Sequence, residues 1–132
     1  MTRTQLMPAA APERIVFIVD DDAAVRNAVS LLVESAGLHA RAYPSAEAFL
    51  QGYSPDSDGC LVLDLHLSGM NGVELQQALA ARHIDIPVIV ITAYKDHPLA
   101  ARAKEVGAVT VLYKPFKQDV LLRTIESALP RR

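Results

Sequence analysis

The chain has 132 residues and a mass of 14.3 kDa, enough for one domain that buries roughly two-thirds of its unfolded surface. A composition of 51% hydrophobic and 21% charged residues excludes a disordered chain, and a single cysteine, Cys60, excludes a disulfide scaffold or a multi-cysteine zinc site. A net charge of −2 argues against direct nucleic-acid binding, no apolar run reaches the roughly 20 residues of a membrane helix, and a cytoplasmic setting is the expectation.

Residues 1–13, with Pro8 and Pro12, read as a flexible leader without the apolar core of a signal peptide, and 14–130 as the folded domain. Five short apolar runs follow: Ile15–Val19, Leu38–Tyr43, Cys60–Leu63, Val88–Ile91 and Val109–Tyr113. Three of them are β-branched and nearly continuous in apolarity, as suits strands buried on both faces of a parallel sheet. Helix-length segments separate them. Val25, Val29, Leu32 and Val33 share one helical stripe that Gly37 stops. Ser45 is a good N-cap for a short helix through Leu50 that ends at Gly52. Val73–Ala81, Leu99–Val106 (stopped by Gly107) and Val120–Leu129 complete the set. Strand and helix alternating five times predict a single α/β domain of doubly wound (βα)5 type with a five-stranded parallel sheet. Ligands of such sheets sit beyond the carboxyl ends of the strands.

The residues at those ends are chemically distinctive. The first run ends in Asp20-Asp21-Asp22, the third in Asp64, the fourth in Thr92 and the fifth in Lys114-Pro115. Carboxylates gathered at one edge repel one another, and a divalent cation relieves the conflict. An all-oxygen donor set suits Mg²⁺. A carboxylate can be the nucleophile of an aspartyl-phosphate, and an ammonium and a hydroxyl can meet phosphoryl oxygens. Each residue alone has a plainer reading: Asp22 as a helix cap, Asp64 as a turn former, Lys114-Pro115 as punctuation. Their recurrence at four strand ends favours phosphoryl transfer.

In these stretches the chain resembles the receiver domains of two-component response regulators: Ile18-Val19-Asp20-Asp21-Asp22, Leu61-Val62-Leu63-Asp64, Asn71-Gly72-Val73-Glu74-Leu75, Val90-Ile91-Thr92-Ala93 and Tyr113-Lys114-Pro115-Phe116. The runs Ser45–Leu50 and Val106–Val109 are similar to the FixJ-like branch. The resemblance covers Ile15 to Leu129. It implies strand order 2-1-3-4-5 and a cis Lys114–Pro115 bond. It also implies that Asp64 accepts a phosphoryl group from a sensor histidine kinase, with Thr92 and Lys114 meeting its oxygens. Mg²⁺ would be held by Asp21, Asp64 and the backbone carbonyl of His66, with Asp20 acting through a water. The surface of the fourth helix, fifth strand and fifth helix would then switch, for homodimerisation or partner binding.

The chain departs from that pattern in places. Ser68 stands where a proline is usual, Val111 where many receivers carry the aromatic residue that moves with the threonine, and Thr110 where an acid is frequent. His66 and Tyr94 border the family's path of hydrolytic water. His39, His83 and His97 lack metal-ligand spacing, and Cys60 reads as a buried small hydrophobe. The competing readings are a non-phosphorylated pseudo-receiver serving as a protein-binding module, a dehalogenase-type phosphatase and a flavodoxin-like carrier. The phosphatase is disfavoured by the missing cap domain, and the flavodoxin by acids where a phosphate loop belongs. No effector domain is expected within these residues. A stand-alone receiver and the receiver of a longer regulator both stay open.

Overall fold

The computed structural model describes residues 14–54, 58–95 and 97–130; the leader assigned to 1–13 and the basic tip at 131–132 lie outside them. Strand β1 (Arg14–Val19) is buried from Ile15 to Val19 without alternation, because both of its faces are covered. The others are β2 (His39–Tyr43), β3 (Asp58–Asp64), β4 (Val88–Thr92) and β5 (Thr110–Tyr113). All pair in parallel in the order β2-β1-β3-β4-β5, the expected 2-1-3-4-5. The edge strands β2 and β5 are only partly buried, which explains their weaker apolar signal.

Alternate residues of the central strands feed two cores. Ile15, Phe17, Val19, Leu61, Leu63, Val88 and Val90 pack with Phe49, Leu75, Leu79 and Ala103 on one face. Val16, Ile18, Val62, Ile89 and Ile91 pack with Val29, Val33, Leu121 and Ile125 on the other. Helices α1 (Ala23–Ser35) and α5 (Gln118–Ala128) therefore cover one face, and α2 (Ala46–Gly52), α3 (Gly72–Ala81) and α4 (Pro98–Val106) the other. Each fully buried aliphatic or aromatic side chain contributes about 1.5–3 kcal/mol. Cys60 is one of the buried small residues; burial pushes its thiol up to about 12. Among the described residues no helix is long and apolar enough to cross a membrane.

The helix ends follow local chemistry. Asp22 and Ser45 cap α1 and α2 through their side chains, and Asn71 and Glu74 form a capping box on α3. Helix α4 starts one residue earlier than predicted, at Pro98, because proline's fixed φ fits the first helical turn; His97 is its cap. Helix α2 ends at Gly52 as expected, whereas α5 starts at Gln118 and ends at Ala128 instead of spanning Val120–Leu129. His83 holds a left-handed φ of 57° just past α3, so it helps end that helix.

Gly72 ties the fold to the strand ends. It opens α3 and its N–H donates to the Leu65 carbonyl at 3.0 Å. A Cβ there would stand 2.8 Å from the Asp64 carbonyl oxygen and 2.9 Å from Leu65 Cα. Both neighbours are backbone and cannot step aside. Gly72→Ala is therefore expected to destabilise the domain by about 1–3 kcal/mol in urea unfolding, by pushing the end of β3 out of register with α3.

Candidate functional site

In an all-parallel sheet every strand delivers its last residue to the same edge, and four of the five ends carry the predicted groups. Asp20 follows β1 and is fully buried. Its Oδ1 accepts from the Asp22 N–H at 2.9 Å, and its Oδ2 accepts from Lys114 Nζ at 3.0 Å. Asp64 closes β3 and is 5% exposed; its Oδ1 accepts from the His66 N–H at 3.2 Å, and its Oδ2 lies 3.6 Å from the same Lys114 Nζ. Asp21 is exposed at the rim. One carboxylate oxygen from each of Asp20, Asp21 and Asp64 can be chosen so that all lie within 4.8 Å of one another. With His66, Ala93, Tyr94 and Lys114, these acids line a cavity of about 200 Å³.

Backbone contacts fix the positions. Lys114 N–H donates to the Thr92 carbonyl at 2.8 Å, and the Lys114–Pro115 bond is cis, as the resemblance implied. Arg26 Nη1 donates to the Asp20 carbonyl at 2.6 Å and clamps the β1 end onto α1. Thr92 is fully buried beside the cavity but is not among its lining residues; its hydroxyl oxygen accepts from the Tyr94 N–H at 3.1 Å. Asp22 caps α1 by accepting from the Ala24 N–H at 2.9 Å and is the plainer member of the acid run.

Three carboxylates thus face one ammonium. Like charges gathered this closely repel, most strongly between the buried Asp20 and Asp64. Burial raises the Asp20 carboxyl above its ordinary range, and the Asp64 charge adds to this. The Asp22 N–H and Lys114 pull the other way without reversing it. Burial alone would lower Lys114, but its hydrogen bond to Asp20 and the charges of Asp64 and Asp20 leave it raised. The Asp20 rise is chiefly the cost of burying its charge, and the Lys114 rise reflects the two carboxylates around it. This donor set, all oxygen and already converged, fits a hard divalent cation.

The sequence reading missed His97. Its ring packs edge-on against His66 at 4.7 Å, and His66 packs against Tyr94 at 4.4 Å. Burial and the neighbouring His97 lower the His66 imidazole, the Asp64 carboxylate opposes them, and Lys114 lowers it further. The available signal was position: a polar residue just before Pro98 is a helix cap, and a cap that follows β4 must stand at the strand-end edge. His39 and His83, by contrast, stand away from the cavity.

A five-stranded parallel sheet with carboxylates at its topological switch point defines a class of α/β proteins that gather charged ligands at one edge. Residues 16–126 match the response regulator receiver domain, and the chain belongs to that family. It is 42% identical over 122 residues to "Nodulation protein W" of Bradyrhizobium diazoefficiens, covering 92% of this chain and 54% of that one. It is 39% identical over 114 residues to "Transcriptional regulatory protein FixJ" of the same organism, covering 86% and 56%. The chain thus spans about half the length of these relatives. Among solved structures, the one described as "FixJ-N" superposes with a TM-score of 0.81 at 41% identity, covering 88% of this chain and 93% of that one. These likenesses place the chain near the FixJ-like branch. Receiver domains use Mg²⁺ at an acidic pocket, and the Asp20, Asp21 and Asp64 oxygens form one here.

Two outcomes follow from the charge imbalance. Mg²⁺ at about ten times its dissociation constant should raise the melting temperature by about 5 °C. Asp21→Asn should abolish most of that shift while leaving the cation-free melting temperature equal or higher; an unchanged wild-type temperature, with no heat on titration, would rule out the cation site. The second concerns Lys114. A raised ammonium contributes stability that is fully present below its ordinary 10.5 and is lost as pH rises through its folded value. Lys114→Gln should therefore cost about 1–3 kcal/mol near neutrality. The difference from wild type should narrow only above pH 10.5, measured by urea unfolding across pH.

Proposed function

We propose that this domain is a phosphoacceptor in a two-component phosphorelay, with Asp64 as the acceptor. The observation that carries the reading is the position of the Asp64 carboxylate: almost buried, at the end of β3, 3.6 Å from Lys114 Nζ and converged with Asp20 and Asp21. An Asp64 oxygen attacks the phosphorus of a phosphohistidine on a sensor histidine kinase. The new O–P bond forms as the P–N bond breaks, and the electron pair returns to the imidazole nitrogen. The product is an acyl phosphate on Asp64.

The chain's own groups prepare that step. Lys114, shared between Asp20 and Asp64, is placed to follow the charge from carboxylate to phosphoryl oxygen without a large movement. The His66 N–H fixes one Asp64 oxygen, so the other points toward the cavity with Lys114. Thr92 can rotate its hydroxyl from the Tyr94 N–H toward a phosphoryl oxygen. Asp21 and Asp64 would hold Mg²⁺ directly, with the His66 carbonyl, and Asp20 would hold it through a water. The cation supplies charge neutralisation for an anion meeting an anion.

The output in this reading is a change in the surface of α4, β5 and α5. Val109 on that surface is 57% exposed, and Thr110, Val120, Arg123 and Thr124 flank a shallow groove beside it. A second copy or an effector partner docks there after phosphorylation. We place the exchange in the cytoplasm and assign the chain a signalling rather than an enzymatic role, its chemistry confined to its own acceptor. The complete set of acids, threonine and lysine supports this reading over the pseudo-receiver.

Incubation with acetyl phosphate and Mg²⁺, followed by intact mass measurement, should show one added phosphoryl group on wild type and none on Asp64→Asn. Equal incorporation in both would move the acceptor elsewhere. No incorporation from either acetyl phosphate or a phosphorylated kinase would favour the non-phosphorylated binding module.

A further inference from the structure

The loop that leads from Asp64 to α3 carries the His66 carbonyl, and it is tied unevenly. Its ends are fixed by the backbone: the Leu65 N–H donates to the Ile91 carbonyl at 3.4 Å, and the Gly72 N–H donates to the Leu65 carbonyl at 3.0 Å. Its crest is Ser68-Gly69, both exposed and, among the described residues, without a hydrogen bond. Glycine samples both signs of φ, and a serine has no ring to fix its φ, so these two residues give the crest much freedom to lose. A side chain from another element meets it. Glu47, in the first turn of α2, accepts from the Met70 N–H through Oε2 at 3.2 Å, across 23 residues of sequence. Gly69 admits that carboxylate: its φ is 74°, and a Cβ on it would stand 2.8 Å from the same Oε2.

From this arrangement we infer that Glu47 is a positioning residue for the cation site: by holding Met70 it keeps the loop, and the His66 carbonyl on it, where Mg²⁺ is to be bound, an inference that rests on the reading of that carbonyl as a Mg²⁺ ligand. Glu47 does not act as a ligand itself. It is neither among the residues that line the cavity nor one of the three converged acids. It acts through the backbone. Ordering a loop costs conformational entropy. A ligand that needs the loop in one place meets that cost on binding, unless a contact within the protein has already met it. Glu47 does so before the cation arrives. The contact is one charge-assisted hydrogen bond at the surface, so its loss weakens Mg²⁺ binding by about fivefold and leaves the fold intact. The plainer role of an acid in a first helical turn is to favour the helix dipole. That role needs the charge on α2 but not the reach to Met70, and the two are separable.

Glu47→Asp keeps the charge on α2 but is one methylene too short for the Met70 N–H; Glu47→Ala removes both. Ser68→Pro, added to Glu47→Ala, restrains the crest from within instead of from α2. Mg²⁺ binding to each protein is measured by calorimetric titration, and amide hydrogen exchange at Met70 is read without the cation. Both single variants should exchange faster at Met70 by about threefold or more and raise the Mg²⁺ dissociation constant by about fivefold. The double variant should return that constant to within about twofold of wild type. An unchanged dissociation constant in Glu47→Ala, with wild type binding Mg²⁺, would overturn the positioning role and leave the cation site intact. Wild-type affinity in Glu47→Asp beside weakened binding in Glu47→Ala would reduce Glu47 to its charge on α2. Weakened binding that Ser68→Pro leaves unrestored would assign the effect to lost charge rather than to the loop, and so overturn the role as well. Wild type that binds no Mg²⁺ would remove the cation reading and this inference with it.

Discussion

Lys114 reaches two buried carboxylates with one ammonium, and much of the domain is arranged so that this is possible. A buried unpaired carboxylate is among the most destabilising groups a fold can hold. Asp20 is fully buried, and it is tolerable because Lys114 Nζ stands 3.0 Å away and the Asp22 N–H satisfies its other oxygen. Lys114 is in turn held by its own N–H on the Thr92 carbonyl, so strand β5 cannot drift from β4 without exposing Asp20 to an unscreened neighbour, Asp64. The ion pair is therefore a registration device across the sheet as well as a charge balance. It leaves the balance incomplete, and residual negative charge at the edge favours a cation there.

The sheet order explains why the edge is at that place. Strand β1 lies between β2 and β3, so the chain leaves it on one side and returns on the other, and α1 and α2 end up on opposite faces. The loops after β1 and β3 diverge there and leave a crevice that side chains can fill. The loop that follows Asp64 is tied at several points. Leu65 and Leu67 are buried, the Met70 N–H donates to Glu47 Oε2 at 3.2 Å, and Asn71 and Glu74 bind each other's backbone at the start of α3. Gly69 takes a left-handed φ of 74° beside Glu47. Ser68, where relatives of the family usually have proline, is exposed at the tip of this braced turn. The constraint that a proline ring would impose locally is supplied here by a carboxylate from α2.

Much of this was legible in the sequence because doubly buried strands leave a strong trace. Ile15–Val19 and Val88–Ile91 have no polar residue to break them, so the abrupt arrival of Asp20 and Thr92 marks the strand end and the site together. Edge strands leave a weaker trace: His39–Tyr43 alternates His, Ala, Arg, Ala and Tyr because one edge and part of both faces meet solvent. What the sequence withheld was orientation. Nothing in the run Thr92-Ala93-Tyr94 says that the hydroxyl accepts from the Tyr94 N–H instead of lining the cavity. Nothing in the spacing of His66 and His97, separated by a helix and a strand, says that their rings touch. Such contacts are set by how loops fold back at the strand ends, where the hydrophobic period that guides sequence reading has already ended.

That divide bears on how a receiver of this type changes state. A phosphoryl group can shift an equilibrium only through contacts that differ between two conformations. Val111 sits in the core of the α2–α4 face, paired with Val90 across the sheet, and is 8% exposed. A branched side chain so packed has one comfortable position and no ring to swing. The aromatic rings near the same threonine belong instead to Tyr94, His66 and His97. Those rings occupy a partly exposed rim where alternative packings cost little, whereas the core position of Val111 would require a cavity to open.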